Sequence, residues 1–503
     1  MKTYRYLTLA IAVLSATACG LFAQSTGSIT GKVADKNFPQ FLEGVIVRVE
    51  GTSLVTSTNR FGEFTLLNVP EGSQLLHFSY IGYAKESKSV AVSGGQTAIV
   101  EVKLGERIID LDSFIVTGRL VGTAKALNQQ KSAQSFRNII ASDAIGALPD
   151  KNVAEALARV PGISIERDQG EGRFVVIRGI DPELNNIEVN GVSLSAPENE
   201  TRAIALDVIP SELVDSLEIT KVNTPDMDAD AIGGTVNIKT RSPFGEGGQF
   251  VRAKSSLMLN ELRGEVGGKA SVAWGDLFHD GTVGLTVGAS YGEDNVASDN
   301  NEVDGPWVEE DGFFIPEEIE YREYDVTRER RGVDISLEYK PDENNYFYVK
   351  GLYSYFSDLE ARYRVELKAE DADDFENLTA TGVRLIDVEE TDRDVKDRFE
   401  EQNIFSLVAG AEQSFGNTFI DYSVAYSYAN EKEPERVDTD FRSETPYDAV
   451  LDWSGDTVDI VSVGPAWGDA AVYEFDGLVE ENNETDETEF TAQFNIRNDF
   501  NVG

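Results

Sequence analysis

The amino-acid sequence predicts a mainly β protein: a small β-sandwich, then an α+β domain, then part of an antiparallel transmembrane β-barrel. Three observations support this fold class. Short apolar runs separated by Gly, Pro, Asn and Ser turn signals occupy residues 27–104. A helical pattern followed by strand-like runs occupies residues 130–242. Alternation of apolar and polar residues with a period of two begins near residue 249.

The first 23 residues are expected to be an export signal. Lys2 and Arg5 precede an apolar stretch, and small residues precede Gln24. The only cysteine, Cys19, lies in this segment, so the mature chain is expected to rely on packing and strand pairing without a disulfide. Beyond it, no apolar run reaches the roughly 20 residues that a transmembrane helix needs.

The charge of the chain argues against nucleic acid as a partner. Asp and Glu number 89 against 44 Lys and Arg, giving a net charge of −45, whereas binding to the phosphate backbone requires excess positive charge. The two histidines, His77 and His279, belong to no metal-ligand motif, and no grouping of nucleophile, base and orienting residue is visible. The chain is therefore expected to be neither an enzyme nor the carrier of a cofactor.

One acidic stretch has the spacing of a calcium-binding loop but lacks two of its residues. Asp226, Asp228 and Asp230 alternate as such a loop requires. However, Ala231 stands where the loop needs glycine, and Asn237 where it needs a bidentate glutamate. No metal site is predicted.

The α+β domain is expected to begin with helices. Asp150 can cap the helix that follows it, because its side-chain oxygen can accept free N–H groups of the first turn. Val153, Leu157 and Val160 fall on one face of that helix, and Pro161 ends it. Strand-like runs then follow as far as residue 242.

The region from residue 249 alternates as a barrel or a sandwich would. In "RGVDISLEY" Val333, Ile335 and Leu337 share one face, opposite Asp334 and Ser336. A soluble sandwich with a dry inner face also alternates. Long acidic connections favour the barrel, because residues 293–326 carry thirteen acidic residues against one basic residue, and residues 431–490 are similar. Outer-membrane barrels have short turns on one side and long loops on the other.

A short β-prone run, "DSFIVTG", lies between the first two domains and has no obvious partner. An exposed segment of this kind on a flexible tether can add a strand to the sheet edge of another protein. The tether that follows it is "RLVGTAKALNQQ". The run consists of Asp112, Ser113, Phe114, Ile115, Val116, Thr117 and Gly118.

Taken in order, these parts resemble a TonB-dependent outer-membrane receptor with an N-terminal carboxypeptidase-regulatory-like domain. "GVIVRVEGTSLVTSTNRFGEFTLLNVP" carries the resemblance to that first domain. "LPDKNVAEALARVPGISIER", "FVVIRGIDPELNNIEVNGV" and "DADAIGGTVNIKTRSP" match motifs of the family's plug domain in order. The combination is most similar to the receptor subgroup linked to carbohydrate uptake.

The resemblance implies five segments along the chain. Residues 1–23 are a signal peptide, 24–106 the carboxypeptidase-regulatory-like sandwich, 107–129 the TonB box and linker, 130–242 the plug, and 243–503 the N-terminal part of a transmembrane barrel. Transporters of this kind have 22 strands, and about nine or ten candidates follow residue 249. The barrel is therefore expected to be incomplete and the chain truncated at its C-terminus.

The resemblance also implies function and partners. The chain would import a ligand, a small molecule or a carbohydrate, through a plugged barrel in the outer membrane of a Gram-negative bacterium. Its N-terminal domain would be periplasmic, its lipid partner the outer membrane, and its energy-coupling partner the TonB-ExbB-ExbD complex. Three alternatives stay open: uptake of a siderophore or other metal complex, a non-transporting surface binding or signalling protein, and a soluble exported adhesin.

Two groups of candidate site residues follow. In the plug, Arg178 is expected to be a buried anchor, Gly179 and Gly191 to serve turns in which a Cβ would clash, and Gly233 and Gly234 to open the last strand; Asn190 precedes one of these turns. Ligand contacts are expected from plug turns at 167–173 and 193–202 and from aromatic residues of the first acidic stretch. These aromatic residues are Trp307, Phe313, Phe314, Tyr321 and Tyr324.

Overall fold

The structure, a computed structural model, describes residues 25–37, 40–105, 121–133, 135–145, 152–199, 201–225, 227–229 and 231–498. The predicted signal peptide, the predicted TonB box at 112–118, Asp150, Asp226 and Asp230 lie outside these residues. The chain divides into two compact units. One comprises the chain up to Asp143 together with Pro243–Gln249, and the other comprises Ala144–Ser242 together with the chain from Phe250 onward.

The first unit is built on a small β-sandwich. One sheet has the order β4-β1-β7 and the other the order β3-β2-β5-β6. Alternate residues of each strand meet in a shared core, where Val45, Val47 and Val49 are fully buried and Phe64 packs edge-to-face on Phe78. The strands are β1 (Thr26–Asp35), β2 (Ile46–Val49), β3 (Val55–Ser57), β4 (Glu63–Pro70), β5 (Gly72–Ser79), β6 (Glu86–Val92) and β7 (Thr97–Leu104).

The segment expected to be a flexible tether is helical from Val121. Helix α1 (Val121–Ser132) consists largely of good helix formers, and Ala126 is buried with Ile139 of strand β8 (Arg137–Ala141). The side chain of Asn128 accepts a hydrogen bond from the Ile81 N–H at 2.9 Å, which joins α1 to the sandwich. The expectation of a flexible tether is therefore wrong for this helix. A single-turn helix, Pro243–Glu246, also belongs to this unit.

The α+β domain opens the second unit. Helix α2 (Val153–Leu157) is capped by Asn152, whose side chain accepts from the Glu155 N–H at 3.1 Å, so the prediction of Asp150 as the cap is wrong. The predicted apolar residues Val153, Leu157 and Val160 are buried, but the helix ends at Leu157 and not at Pro161 as expected, so Val160 lies beyond it. The strands that follow are β9 (Ile163–Asp168), β10 (Glu171–Ile177), β11 (Asn185–Val189), β12 (Val192–Ser193), β13 (Val214–Thr220) and β14 (Gly234–Thr240).

These strands form a hairpin and a mixed sheet. Strands β9 and β10 pair with each other, and β12, β11, β14 and β13 lie side by side in that order, with β11 parallel to β14. Three 3-10 turns connect the strands: Pro182–Leu184, Leu206–Val208 and Ser211–Leu213. No helix of the described residues has the length and apolar character needed to cross a membrane.

An antiparallel sheet of eight strands, here called the large sheet, makes up most of the second unit. Its order is β15-β16-β17-β18-β19-β22-β23-β26, with β15 and β26 at the two edges. Short turns at residues 279–282, 340–344 and 416–417 join strands at one end. The strands are β15 (Phe250–Asn260), β16 (Glu265–Phe278), β17 (Val283–Glu310), β18 (Phe313–Tyr339), β19 (Asn345–Lys368), β22 (Thr391–Phe415), β23 (Thr418–Ser443) and β26 (Glu474–Asn498).

At the other end of the large sheet lie the acidic stretches that were expected to be long loops. They form mostly strands instead. Strands β17 and β18 pair from Val283 and Tyr339 out to Glu310 and Phe313, so residues 293–326 form a hairpin. Beside it lies a second sheet, here called the small sheet, with its own core around Ile319, Leu385 and Tyr447. Its strands are β20 (Ala372–Thr379), β21 (Gly382–Val388), β24 (Tyr447–Asp452) and β25 (Asp459–Val463), paired in that order. The fold is mainly β, as predicted.

Candidate functional site

The large sheet is apolar on its exposed face and polar on its buried face. In β18, Val333, Ile335 and Leu337 are each about half exposed (48, 52 and 50%), whereas Asp334 and Glu338 are 2 and 1% exposed. A water-soluble sheet has the opposite arrangement, with apolar residues inside. The structure therefore disagrees with the alternative of a soluble sandwich with a dry inner face, and it agrees with the lipid-facing pattern of an outer-membrane barrel.

The α+β domain covers the polar face of the large sheet. The backbone N–H of Ser195 donates to the Ser427 hydroxyl at 3.0 Å, and the Ser354 hydroxyl donates to the Val208 carbonyl at 2.6 Å. A Cβ built on Gly332 would lie 2.6 Å from the Leu213 side chain, so only glycine leaves room there. The two surfaces are thus in direct polar and steric contact.

The tip of the β9–β10 hairpin reaches deepest into this contact. Its turn residues, Gln169 and Gly170, both have positive φ, 47° and 77°. Glycine adopts this backbone readily, whereas a residue with a side chain adopts it at a cost of roughly 1–2 kcal/mol. Gln169 is nevertheless only 9% exposed. A strained, buried residue at a turn indicates that its side chain makes compensating contacts.

Two buried arginines of β18 bind the hairpin. Nη2 of Arg330 and Nη1 of Arg328 lie 2.8 and 3.1 Å from the same Glu171 oxygen. Asp294 binds Arg330 at 2.9 Å, and Asp358 binds Arg328 at 2.9 Å. All five side chains are at most 4% exposed. Removing one member of such a buried group leaves an uncompensated charge, which is strongly destabilising.

The Gln169 amide joins this arginine pair to a second ionic group. Its oxygen accepts from Arg328 and its nitrogen donates to Glu360, so both halves of the amide are used. Glu360 is also bound by Arg398 at 3.1 Å and Lys396 at 2.7 Å. One hairpin residue therefore connects charged side chains from strands β18, β19 and β22.

A second contact comes from the Leu206–Val208 turn. The carbonyl of Asp207 accepts a hydrogen bond from Nε of Arg330 at 2.7 Å. Burial raises the pKa of the Asp207 carboxyl, although Arg173 and then Arg330 act in the opposite direction. The arginine pair thus contacts the α+β domain at two places, its hairpin tip and this turn.

Two pairs of consecutive residues in the plug have positive φ. The angles are 57° and 72° in Arg178 and Gly179, and 54° and 84° in Asn190 and Gly191. Arg178 is exposed, not buried as expected, and donates to the Gly233 carbonyl at 2.8 Å. A Cβ on Gly179 or Gly191 would meet no atom closer than 4.0 Å. The expected clash is therefore wrong for both glycines, and their positive φ is the physical reason for glycine.

The last strand of the domain begins at the predicted pair of glycines. A Cβ on Gly233 would lie 2.0 Å from the Asn185 side-chain oxygen, and one on Gly234 would lie 2.7 Å from the Thr220 carbonyl. Strand β14 starts at Gly234. Close packing, which was expected at Gly179 and Gly191, is thus found at this pair instead.

The aromatic ligand candidates are distributed over three environments. Trp307, Phe313 and Phe314 lie near the end of the β17–β18 hairpin, where Phe314 is 60% exposed and Trp307 packs edge-to-face on Trp453 at 5.6 Å. The Tyr321 hydroxyl accepts from the Ile460 N–H of the small sheet at 2.9 Å. Tyr324 is buried, at 7% exposure. The first three thus share one end of the hairpin, and their role as ligand contacts stays a prediction.

The turn at 167–173 was expected to contact ligand, but Gln169 and Glu171 in it are buried and bind arginines of β18, so the expectation is wrong for these two residues. Their partners in β18 were not identified from the sequence. A signal was present in "TRERRGVDISLE", where Arg328, Arg330, Asp334, Ser336 and Glu338 continue one polar face in steps of two. Charged residues on the same face as buried serine indicate a buried polar surface rather than solvent. Their partners on the α+β domain lie 159 residues away in the sequence and had no comparable signal.

Two family descriptions match parts of the chain. "CarboxypepD_reg-like domain" matches residues 29–116, and "TonB-dependent Receptor Plug Domain" matches residues 128–235. The fold and the site define a class of protein in which an α+β domain fills the polar side of an antiparallel barrel-type sheet. The chain carries the plug domain of the TonB-dependent receptors, preceded by a CarboxypepD_reg-like domain.

Individual relatives are similar at low identity. The chain is 24% identical over 144 residues to TonB-dependent receptor P3 of Formosa agariphila, an alignment that covers 28% of this chain and 13% of that protein's length. Among solved structures, the ferric citrate transporter FecA is 12% identical, with a TM-score of 0.31 over 68% of this chain and 64% of that one. The copper transporter OprC is 12% identical, with a TM-score of 0.35 over 74 and 63%. These TM-scores support no conclusion about a ligand.

Proposed function

We propose that this chain is the plug-bearing part of an energy-coupled receptor in the outer membrane of a Gram-negative bacterium. In this proposal the exposed apolar face of the large sheet contacts lipid, the plug closes the passage, and TonB, energised by ExbB and ExbD, pulls on residues 112–118 from the periplasm. The sandwich lies on the periplasmic side. Pulling detaches the hairpin from its arginine pair and opens a path for the ligand.

The observation that carries the proposal is the reversed polarity of the large sheet together with a plug docked on its polar face. A purely structural interface would be expected to be apolar, because apolar packing is stable without precise pairing. Here the contact consists of hydrogen bonds and ion pairs that depend on exact positions. Such contacts separate as discrete steps when a displaced hairpin exchanges them for water, which suits a plug that must open and close again.

For the ligand we propose a carbohydrate, from the resemblance of the plug motifs to the carbohydrate-linked subgroup. Trp307, Phe313 and Phe314, near the outer end of the β17–β18 hairpin, offer aromatic faces on which sugar rings can stack. Uptake of fluorescently labelled oligosaccharides, with ferric citrate measured in parallel, distinguishes this ligand class from a metal complex. Accumulation of ferric citrate alone would overturn the carbohydrate assignment and leave the transport proposal standing.

Plug movement is tested with a reversible cross-link. The backbone N–H of Ser195 lies 3.0 Å from the Ser427 hydroxyl across the plug contact, and the rest of the mature chain is expected to be free of cysteine. The double variant Ser195→Cys, Ser427→Cys should lose uptake under oxidising conditions and regain it with a reductant. Each single variant should transport normally in both conditions. Full uptake by the cross-linked protein would contradict the proposal.

Coupling to TonB is tested within residues 112–118. Ile115→Pro should abolish uptake but leave ligand binding intact, because proline removes an N–H and prevents strand addition. Ile115→Val keeps a β-branched residue and serves as the matched control, with uptake retained. Normal uptake by the proline variant would show that this segment does not couple the receptor.

A further inference from the structure

A group of carboxylates is concentrated where the plug loop at 194–199 meets strands β22 and β23. Glu400 and Glu433 are 3 and 9% exposed, and both lie within 3.2 Å of Arg398. Glu431 experiences the negative charges of Glu400, Glu433 and Glu198 of the plug loop. The group is here called the apical acidic cluster and consists of Glu198, Glu400, Glu431 and Glu433.

The basic residues nearby do not balance this charge. Arg173 binds Glu198 at 2.7 Å but also binds Asp168 at 2.8 Å. Arg398 is shared among Glu400, Glu433 and Glu360. Two guanidinium groups thus serve three of the four cluster carboxylates, Glu198, Glu400 and Glu433, and also bind Asp168 and Glu360 outside the cluster. Uncompensated buried carboxylates are costly, and a bound cation would offset that cost.

The buried side-chain amide of Gln402 lies beside the cluster, and within the described part of the chain only its nitrogen makes hydrogen bonds. Nε2 of Gln402 donates to Glu400 at 2.7 Å and to Glu431 at 2.8 Å, so it lies between the two carboxylates. Gln402 is 1% exposed, and its Oε1 has no hydrogen-bond partner among the described residues. Rotating the amide by half a turn would direct that oxygen at the point between Glu400 and Glu431 without moving the backbone.

We propose that Glu400, Glu431 and Gln402 form a binding site for a divalent cation of the calcium type. Two carboxylates and an amide oxygen are the hard oxygen ligands that Ca²⁺ prefers, and Ca²⁺ accepts the irregular geometry of such a set. Glu431 is only partly buried, which gives the ion access. This site is distinct from the arginine pair and does not depend on transport.

A second carboxylate group is paired differently with basic side chains. Asp304, Glu318 and Glu320 bring three carboxylate oxygens within 4.8 Å of one another. There, however, Arg322 and Arg364 both bind Glu320 directly. Two guanidinium groups of the protein thus already neutralise the most buried carboxylate of this group.

The test is a calorimetric titration of the chelator-treated, detergent-solubilised chain with calcium chloride. The parent chain should bind one Ca²⁺ saturably. Glu431→Gln removes one ligand charge and should weaken binding by about tenfold or more, because affinity depends on ligand charge. Glu401→Gln is the matched control. It makes the same glutamate-to-glutamine change next to Glu400, but on the opposite face of β22. Its affinity should match that of the parent.

A variant that should bind calcium more tightly distinguishes loss of a ligand from misfolding. Gln402→Glu supplies a third carboxylate at the same position and should tighten calcium binding by about tenfold. The proposal is overturned if the parent chain shows no saturable binding, if Glu401→Gln loses as much affinity as Glu431→Gln, or if Gln402→Glu binds calcium no more tightly than the parent. Ca²⁺ binding that follows all three expectations establishes the site.

Discussion

Arg330 of the large sheet binds Glu171 of the plug hairpin, with 2.8 Å between Nη2 and Oε2 and both side chains at most 4% exposed. The two residues are 159 positions apart in the sequence. Losing either residue would leave the buried ionic group that includes Arg328 and Asp294 with an unbalanced charge, so this contact holds the plug in one position on the sheet.

Glu171→Gln should loosen the hairpin. The substitution keeps the shape of the side chain but removes the negative charge shared by Arg328 and Arg330. Loss of one partner from a buried ionic group costs about 3–5 kcal/mol. Hydrogen exchange of the β9–β10 amides should accelerate accordingly. Glu166→Gln, an exposed position on the same hairpin, should leave exchange unchanged, and equal effects of the two variants would refute the role assigned to Glu171.

Two substitutions at Gln169 separate backbone strain from side-chain contacts. Gln169→Ala and Gln169→Gly both lose the bonds to Arg328 and Glu360. Only glycine also relieves the positive φ of 47°. The alanine variant should therefore be less stable than the glycine variant by about 1 kcal/mol, measured by urea unfolding of the plug. The reverse order would show that this turn is not strained.

The exposed apolar face should tolerate charge only outside the region that contacts lipid. Ile335→Arg should reduce membrane assembly, since arginine on a lipid-facing strand costs about 2–4 kcal/mol at the bilayer midplane. Glu323→Arg, on the same face of β18 but in its polar outer part, should assemble normally. The measurement is the fraction of chain retained in outer membranes after a urea wash. Equal retention of both variants would count against the lipid-facing assignment.

The carboxylate of Asp334 leaves no room for a side chain at Gly288. A Cβ at this position would lie 2.0 Å from Oδ1 of Asp334, which is buried and cannot move into solvent. Gly288→Ala should therefore lower stability by about 1–3 kcal/mol. Gly351→Ala in the neighbouring strand β19 would meet atoms only at 3.6 Å, an ordinary contact, and should be neutral. Thermal unfolding of the two variants in detergent tests the difference.

The small sheet should depend on its core and not on its exposed aromatic residues. Ile319 is 1% exposed, and its replacement by alanine should cost about 2–5 kcal/mol. Phe314 is 60% exposed, so Phe314→Ala should change stability by less than about 0.5 kcal/mol. Hydrogen exchange in β21 reports the stability of this sheet. A large loss of protection in the Phe314 variant would make that residue structural rather than a ligand contact.

Several elements could be predicted from local patterns alone. Alternation in "RGVDISLEY" identified both the strand and its two faces, because side chains of a strand alternate strictly. The helix positions of Val153 and Leu157 were also correct, with both side chains fully buried, whereas Val160 is buried but lies beyond the end of the helix. In both cases neighbours in the sequence decide the outcome, so no knowledge of distant partners is needed.

The rest depended on contacts between distant parts of the chain. Residues 293–326 are acidic enough to resemble a loop, yet they pair as strands partly because Arg322 binds Glu302 of the facing strand at 2.6 Å. Likewise, nothing near Gln169 in the sequence indicates that its amide joins Arg328 to Glu360. The plug itself decides which polar residues of the large sheet are buried, so the sequence of the sheet alone does not identify them.

The separation between the hairpin and its partners also sets an order of events during synthesis. Gln169 leaves the ribosome 191 residues before Glu360, the acceptor of its amide N–H. The plug is therefore complete while its binding surface does not yet exist, and docking must wait until at least strands β18 and β19 have paired. Contacts of such long range close slowly, so docking of the plug is expected to be the last and slowest step in the folding of this unit.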